Sequence, residues 1–546
     1  MNNLFFIIFN LILYFSGRTF LFLLSLSFPQ KKIISNELIK SLYPIFTLFF
    51  IGNLTIFLNF FFPIKSFYLF IFILVILFSI LGIFLDFKNI LNRDYLVKLF
   101  LLPLILSSAS YGIKFHYDSG LYHLNFQNWI FENKITFGLA NLNPFYGYSW
   151  IQEYLSSLFF IFNINLFNFF IELIFVVTFF SFLYSSFNQS ESNFLKNSTF
   201  FLTLFLFFDN FGIGGGGNGS IQIQMVGKPD VAIGILYIIV GLITFNDLKN
   251  FQASQFNFFI ILALSLFAFQ LKPTGAPLLF VVLYYFFKSN KNINLFHKEN
   301  LLLIFLGFNY LLKNFIISGC LLFPISQSCL QNLPWINFNH LKTSLSWTIE
   351  GNFRTEIGSG FIKSIQQFLN HAYNFQIYSN FLISIFVIFL IRKFLFTLNK
   401  TDNNKLALII FLIANYIYFF VTVPAFRNAF GLFLLVILIF TLDDLELKIK
   451  YKFLITKSVF VILFFLTTLL FPRMYMYNQL LQNKLSYLDF SVELVSYTQF
   501  NNDFVVAEFN KCWKNINCII PTGYNNYFFL ENKFGYKIIY SSSSSF

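Results

Sequence analysis

The sequence predicts an all-α polytopic membrane protein with a small α/β tail after its last span. Three observations carry that expectation. The 546 residues are 57% hydrophobic and only 11% charged, with a mean hydropathy of +0.70, whereas a soluble domain carries about 25% charged residues. Apolar runs of the length a bilayer core demands, roughly 15–25 residues, recur about fourteen times along the chain. The basic residues then gather on alternate connections, as the positive-inside rule requires.

The predicted spans lie near 3–28, 43–62, 67–86, 99–113, 165–187, 197–212, 231–245, 256–271, 275–288, 300–318, 378–391, 406–422, 427–441 and 456–471. The pair at 256–288 suits a helical hairpin. Residues 151–163 are too short to cross and suit an interfacial helix. Basic clusters at Lys31, Lys32 and Lys40, at Lys88, Arg93 and Lys98, at Lys288, Lys291 and Lys298, at Arg392, Lys393, Lys400 and Lys405, and at Lys448, Lys450, Lys452 and Lys457 share one side if the N-terminus is outside. That placement accounts for the net charge of +13 without nucleic acid. No basic n-region or small-residue cleavage site marks the first span as a cleavable signal. The 89 phenylalanines are attributed to AT-rich codon usage and carry no functional signal.

This topology divides the chain into a transmembrane domain, 1–471, with outer loops at 114–150, 209–230 and 319–377, and an outer C-terminal domain, 472–546. Within the tail, VELVSYTQF suits a helix, and DFVVAEF and YKIIYS suit strands. The cysteines fall as two close pairs, Cys320 with Cys329 and Cys512 with Cys518. In an oxidising compartment such pairs read as disulfides. With no CxxC and no nearby histidine, zinc is disfavoured. Both pairs land on the outer side, which in a bacterium is the periplasm.

The longest polar run of the first half, 114–150, holds His116, Asp118 and His123 between apolar segments. Ionisable groups held beside a bilayer point to function. Asp118 suits a general base or a ligand for a divalent ion beside a phosphate; the plainer alternative is a helix cap for Leu121–Ile130. His116 and His123 match no common metal-ligand spacing and suit hydrogen bonding to substrate or to Asp118. Glu132 and Glu153 are placed as interfacial acids. Lys228 and Asp230 in GKPDV, Lys272 in LKPTGAP and Arg427 in VPAFRNAFG stand at outer ends of spans, where a cation can hold a phosphate or simply snorkel. The run GIGGGGNGS lacks the GK[ST] of a nucleotide-binding loop.

Taken in order, these elements resemble a family of bacterial multi-spanning proteins of cell-surface polysaccharide gene clusters. The similarity rests on HYDSGLYH with GLANLNPFYGYSW, then Gly227, Lys228 and Asp230; Lys272, Thr274 and Pro277; Asn314, Ser318, Gly319, Leu321, Leu322 and Pro324; Pro424 and Arg427; and Cys512, Trp513 and Cys518. That family in turn looks like the GT-C fold glycosyltransferases. The resemblance implies a polyprenyl-phosphate-linked sugar donor, a glycan or lipid acceptor, and Asp118 as the acid that deprotonates or orients the acceptor hydroxyl. Lys228, Lys272 and Arg427 would stabilise the leaving phosphate. The reaction needs no nucleotide, and a divalent metal is the one cofactor left open. The implied location is the bacterial inner membrane with a periplasmic active face. Two alternatives compete: a lipid-linked oligosaccharide flippase, which should carry charges within its spans, and an O-antigen polymerase-like protein, which should carry outer-loop arginines.

Overall fold

A computed structural model describes residues 2–26, 36–87, 92–112, 118–162, 164–188, 190–211, 228–250, 253–289, 293–330, 332–336, 338, 341–342, 344–345, 366, 370, 372–400, 402–422, 426–447, 457–481, 497–499, 504–507, 512–515, 518–519 and 528–541. Helices dominate: α1 (Asn2–Ser25), α2 (Asn36–Asn59), α3 (Tyr68–Asp86), α4 (Arg93–Leu96), α5 (Leu102–Ser107), α6 (Leu124–Glu132), α7 (Ile151–Ser157), α8 (Ile164–Asn188), α9 (Asn193–Phe211), α10 (Asp230–Lys249), α11 (Gln255–Leu271), α12 (Leu278–Lys288), α13 (Lys298–Ser318), α14 (Ala372–Leu395), α15 (Asn404–Thr422), α16 (Phe426–Thr441) and α17 (Lys457–Leu481).

Among the described residues, six helices are long and apolar enough to cross a bilayer: α1, α2, α3, α8, α10 and α13. Five further apolar helices, including α11, are shorter. The protein is therefore a helical membrane protein. The predicted span at 99–113 is broken into a π-turn (Val97–Leu101), α5 and a 3-10 segment.

Two helices form the centre. α8 and α10 bury nearly their whole length, because both are apolar on every face and so need protein or lipid all round. α3 lies at the rim, with Leu69, Phe70, Ile73, Ile76, Leu77 and Phe84 exposed as a lipid-facing stripe. Contacts between spans use small and hydroxylated residues, as expected where lipid is no less apolar than leucine. Ser16 Oγ donates to the Val75 carbonyl at 2.7 Å, Thr19 Oγ1 to the Phe78 carbonyl at 2.7 Å and Thr47 Oγ1 to the Leu13 carbonyl at 2.6 Å. These bonds clip α1 to α3 and α2. Asn53 and Gln270 exchange amide bonds of 3.0 and 2.8 Å between α2 and α11.

One end of the bundle gathers ion pairs of the basic clusters. Arg18 meets Asp86 at 3.1 Å; Lys98 meets Glu37 at 3.1 Å; Arg392 and Lys405 meet Asp443 at 3.0 and 2.6 Å. There a short antiparallel ribbon, β1 (Phe396–Lys400) with β2 (Asp444–Leu447), closes α14 against α16. The opposite end gathers residues 118–150, the Cys320–Cys329 loop and the tail, and it is the end that carries the site.

The tail differs from its expected form. α17 runs on through Pro472 to Leu481, and the described remainder is strand and turn. β3 (Tyr497–Gln499) pairs antiparallel with β4 (Val505–Ala507), which pairs parallel with β5 (Cys518–Ile519). The helix expected in VELVSYTQF is thus corrected at Tyr497–Gln499, where pairing with β4 decides the conformation. β6 (Phe528–Lys533) and β7 (Tyr536–Ser541) form a hairpin. β7 seats on the long loop: the Phe137 N–H donates to the Lys537 carbonyl at 3.0 Å, and the Ile539 N–H to the Phe137 carbonyl at 2.9 Å. Gly138 makes this approach possible. Its φ of +69° is left-handed, and an added Cβ would lie 2.4 Å from the Ile539 carbonyl oxygen. The segment expected to lie on the membrane surface, α7, is instead buried inside the protein on every side.

Candidate functional site

Within the long loop, Asp118 leads directly into a π-turn, Ser119–His123. Single π-turns recur at functional sites because the extra residue re-aims side chains. Asp118 makes no capping bond to that turn. It reaches instead to Lys228, with Nζ 2.6 Å from Oδ2 and both side chains largely buried. His116 lies outside the described residues.

Lys228 stands two residues before Asp230, the first residue of α10. The Asp230 carboxylate faces Lys272 at the far end of α11, Nζ to Oδ1 2.6 Å. Lys272 ends α11 in extended backbone, φ −167° and ψ 147°, because Pro273 follows and disfavours the helical region. That turn is held by the Tyr237 hydroxyl, which donates to the Thr274 carbonyl at 2.9 Å. The Lys272 ammonium also lies 5.5 Å from the centre of the Trp150 ring, within cation–π reach. Four residues predicted as site residues, from three distant segments, therefore assemble as two adjoining ion pairs: Asp118 with Lys228, and Asp230 with Lys272.

His123 is brought to the same region by the π-turn. Its ring is fully buried and lies 5.8 Å from Trp150 and 4.0 Å from Tyr122. Nδ1 meets the Glu153 carboxylate. The other Glu153 oxygen accepts from Gln127 Nε2 at 2.6 Å, and Asn168 Nδ2 donates to Gln127 Oε1 at 3.3 Å. This chain of amides fixes the carboxylate, and the carboxylate fixes the imidazole. His123 Nε2, Trp150 Nε1 and both amide atoms of Gln152 are buried with no hydrogen-bond partner among the described residues. Each such group costs about 1–3 kcal/mol unless a water or a ligand satisfies it.

The motif NPFYGYSW builds the wall behind His123. The Asn143 side chain accepts from the Phe145 N–H at 3.0 Å and starts a 3-10 turn with Pro144 first. Tyr146 is buried and its hydroxyl donates to Asn125 Oδ1. Burial pushes that phenol far above its ordinary pKa, so it stays a donor. Ser149 takes a left-handed conformation, φ 31°, and its carbonyl accepts from Lys313. Trp150 and α7 follow.

The tail covers this face. The Trp513 N–H donates to the Gly120 carbonyl at 2.8 Å, and Asn128 Nδ2 donates to the Lys514 carbonyl at 2.6 Å. Cys512 is joined to Cys518 around that contact, and Cys320 to Cys329 across the loop after α13. Arg427 lies in the first turn of α16, and its side chain is outside the described residues. Among the described residues no three His, Cys, Asp or Glu side chains gather as a metal site.

Three site residues escape the sequence expectations. Glu153, placed there as an interfacial acid, is buried as the partner of His123. Glu172, in α8, is buried and electrostatically coupled to Asp230. Lys313, in α13, is fully buried with its ammonium 4.1 Å from the Tyr310 ring centre and 5.3 Å from that of Tyr154. Both Glu172 and Lys313 stand inside predicted spans, 165–187 and 300–318, where the sequence reading places no site residue. A lone ionisable residue inside an apolar run is a readable signal of function.

Residues 3–434 match the model of a family described as a domain of unknown function (DUF8201), and the chain belongs to that family. No curated protein and no solved structure matches it.

Proposed function

We propose that this member of the DUF8201 family is an integral membrane glycosyltransferase. It moves a sugar from a polyprenyl-phosphate donor to a glycan or lipid acceptor. Its finer architecture is a GT-C-like bundle of about fourteen spans, the six long helices and five shorter apolar ones being joined by α9, α14 and the broken segment at 99–113. The reaction runs at the end that bears the 118–150 loop, which the lysine distribution assigns to the periplasmic side of a bacterial inner membrane.

The observation that carries this reading is the joined pair of ion pairs, Asp118 with Lys228 and Asp230 with Lys272, at the mouth of a membrane-embedded bundle. Two ammonium groups held by carboxylates at helix ends suit an exchange in which a lipid phosphate takes over part of their pairing. Beside the Lys272 turn, an apolar cavity of about 580 Å³ runs between α10, α12, α15 and α16 and includes Ala276, Pro277 and Tyr237 in its lining. Its chemistry suits a hydrocarbon chain attached to that phosphate.

In the proposed step the acceptor hydroxyl oxygen attacks sugar C1 and the bond from C1 to the phosphate oxygen breaks. The hydroxyl proton passes to Asp118 or His123, and polyprenyl phosphate leaves with its charge held by Lys228, Lys272 and Arg427. The step needs no cofactor; a divalent ion at Asp118 would add to the phosphate stabilisation.

The test is transfer by membranes carrying the wild type or Asp118→Asn, offered a panel of polyprenyl-phosphate sugars and native surface-glycan acceptor, with glycan mass as the readout. Loss of the added sugar at matched protein level supports the reading. Full activity of Asp118→Asn removes that carboxylate from the mechanism. A second reading, a lipid-linked oligosaccharide flippase, draws support from Glu172 and Lys313, which are charged-type residues buried within spans. It takes over if the wild type adds no sugar and loss of the gene leaves lipid-linked glycan on the cytoplasmic leaflet.

A further inference from the structure

We propose that His123 and Trp150 form a hydroxyl-binding subsite for a saccharide. His123 is fully buried and Trp150 is 7% exposed. Their ring centres are 5.8 Å apart, and His123 Nε2 and Trp150 Nε1 both lack a hydrogen-bond partner among the described residues.

The two nitrogens have opposite characters. An indole N–H can only donate. Glu153 meets Nδ1, and the tautomer that donates Nδ1–H to this carboxylate leaves the lone pair on Nε2. Gln127 occupies the second Glu153 oxygen at 2.6 Å, which leaves the carboxylate little freedom to turn away. One acceptor and one donor, on rings whose centres are 5.8 Å apart, together complement an O–H group, which donates and accepts at a single atom. A carboxylate would set its charge against the Nε2 lone pair, an ammonium would meet the indole N–H, and an apolar group would leave both nitrogens unpaired.

The walls match the rest of a sugar. Tyr122 and Phe145 stack at 4.8 Å with 21° between their planes, Tyr122 lies against His123, and Tyr148 lies 6.0 Å from Trp150. These rings form an aromatic wall around the two nitrogens. Lys272 lies against the same Trp150 ring, so an occupant of this subsite would sit one aromatic ring away from the two ion pairs. Its assignment to the acceptor sugar rests on the transfer reading above; the subsite itself does not. Glu153 is then a positioning residue that acts through His123.

The test uses the full chain in lipid nanodiscs with 15N-labelled histidine. The protein has five histidines, and His123→Gln assigns the resonance. The expected result is an unprotonated Nε2 that shifts saturably with methyl glycosides of common hexoses and N-acetylhexosamines. Trp150→Phe, which keeps the ring and removes the N–H, should weaken that binding about tenfold. The proposal is overturned if Nε2 carries the proton, if no glycoside of the panel moves it (as when a structural water fills the place), or if Trp150→Phe binds as tightly as the wild type. The titration is read on the wild type, and His123→Asn gives the assignment where His123→Gln does not insert. Glycoside binding without sugar transfer sinks the transfer reading and keeps the subsite; transfer without a glycoside-sensitive Nε2 does the reverse.

Discussion

The indole of Trp513 fills the space that a side chain at position 120 would need. A Cβ on Gly120 would lie 2.9 Å from Trp513 Cε2, and the Trp513 N–H is already bound to the Gly120 carbonyl. Position 120 is in the π-turn that carries His123, and position 513 is inside the Cys512–Cys518 loop. Gly120→Val is therefore expected to lift the tail from the loop. Limited proteolysis of membranes should cut the tail faster in this variant, whereas Gly120→Ala should cost about 1–3 kcal/mol of docking and show a smaller effect. Equal cutting of both variants and the wild type would remove the contact from the account.

Removal of the Cys512–Cys518 bond by a double serine substitution should loosen the same contact. A loop this short is worth about 2 kcal/mol by chain-entropy arguments. The measurement is thermal unfolding in detergent, with and without reductant: the wild type should lose stability on reduction and the double variant should not respond through this pair.

The Asn53–Gln270 amide pair should couple strongly in a double-mutant cycle. Gln270→Leu alone leaves the buried Asn53 amide short of a partner, at about 1–2 kcal/mol, and the double leucine variant should recover part of that loss. Unfolding midpoints of the three variants give the coupling directly. Additive losses would mean that the two side chains do not act as a pair.

Glu153→Ala strips partners from two buried groups, His123 Nδ1 and Gln127 Nε2. It should destabilise by about 2–5 kcal/mol. Glu153→Gln keeps the volume and one acceptor and should cost less. Thermal unfolding ranks the two; an alanine variant as stable as the wild type would contradict the burial of this network.

The orientation can be checked by labelling. A membrane-impermeant maleimide should reach a cysteine placed at Phe534, exposed at the tip of the β6–β7 hairpin, in intact cells and should fail to reach a cysteine placed at Lys298, an exposed residue at the other end of the bundle. The opposite pattern would invert the topology.

How much of this was legible in the sequence depends on the range of the interaction. Asp118, Lys228, Asp230, Lys272 and His123 stand out as polar residues against apolar runs, which is a local signal. Their pairing is not local: whether Asp118 meets Lys228 or Lys272 is decided by how α10 and α11 pack. Trp150 was hidden by composition, one aromatic in a chain that is 22% aromatic. Glu172 and Lys313 carried a readable signal, a lone ionisable residue within an apolar run. α7 misled for a different reason. A surface-lying helix needs one polar face, and in Ile151–Ser157 every residue is buried, including Gln152 and Glu153.

The seat of β7 on the long loop carries a consequence for biogenesis. Asn141 Nδ2 donates to the Ile539 carbonyl across 398 residues, and the Tyr536 hydroxyl to the Phe60 carbonyl across 476. A ribosome delivers residues in order, so the face built from the early loop waits, unfinished, while every later span enters the bilayer. Loop closure over such distances is entropically cheap per added residue but slow to find. β7 thus closes the loop only after the spans: a chain released before it would insert its spans and still lack the piece that locks the loop in place.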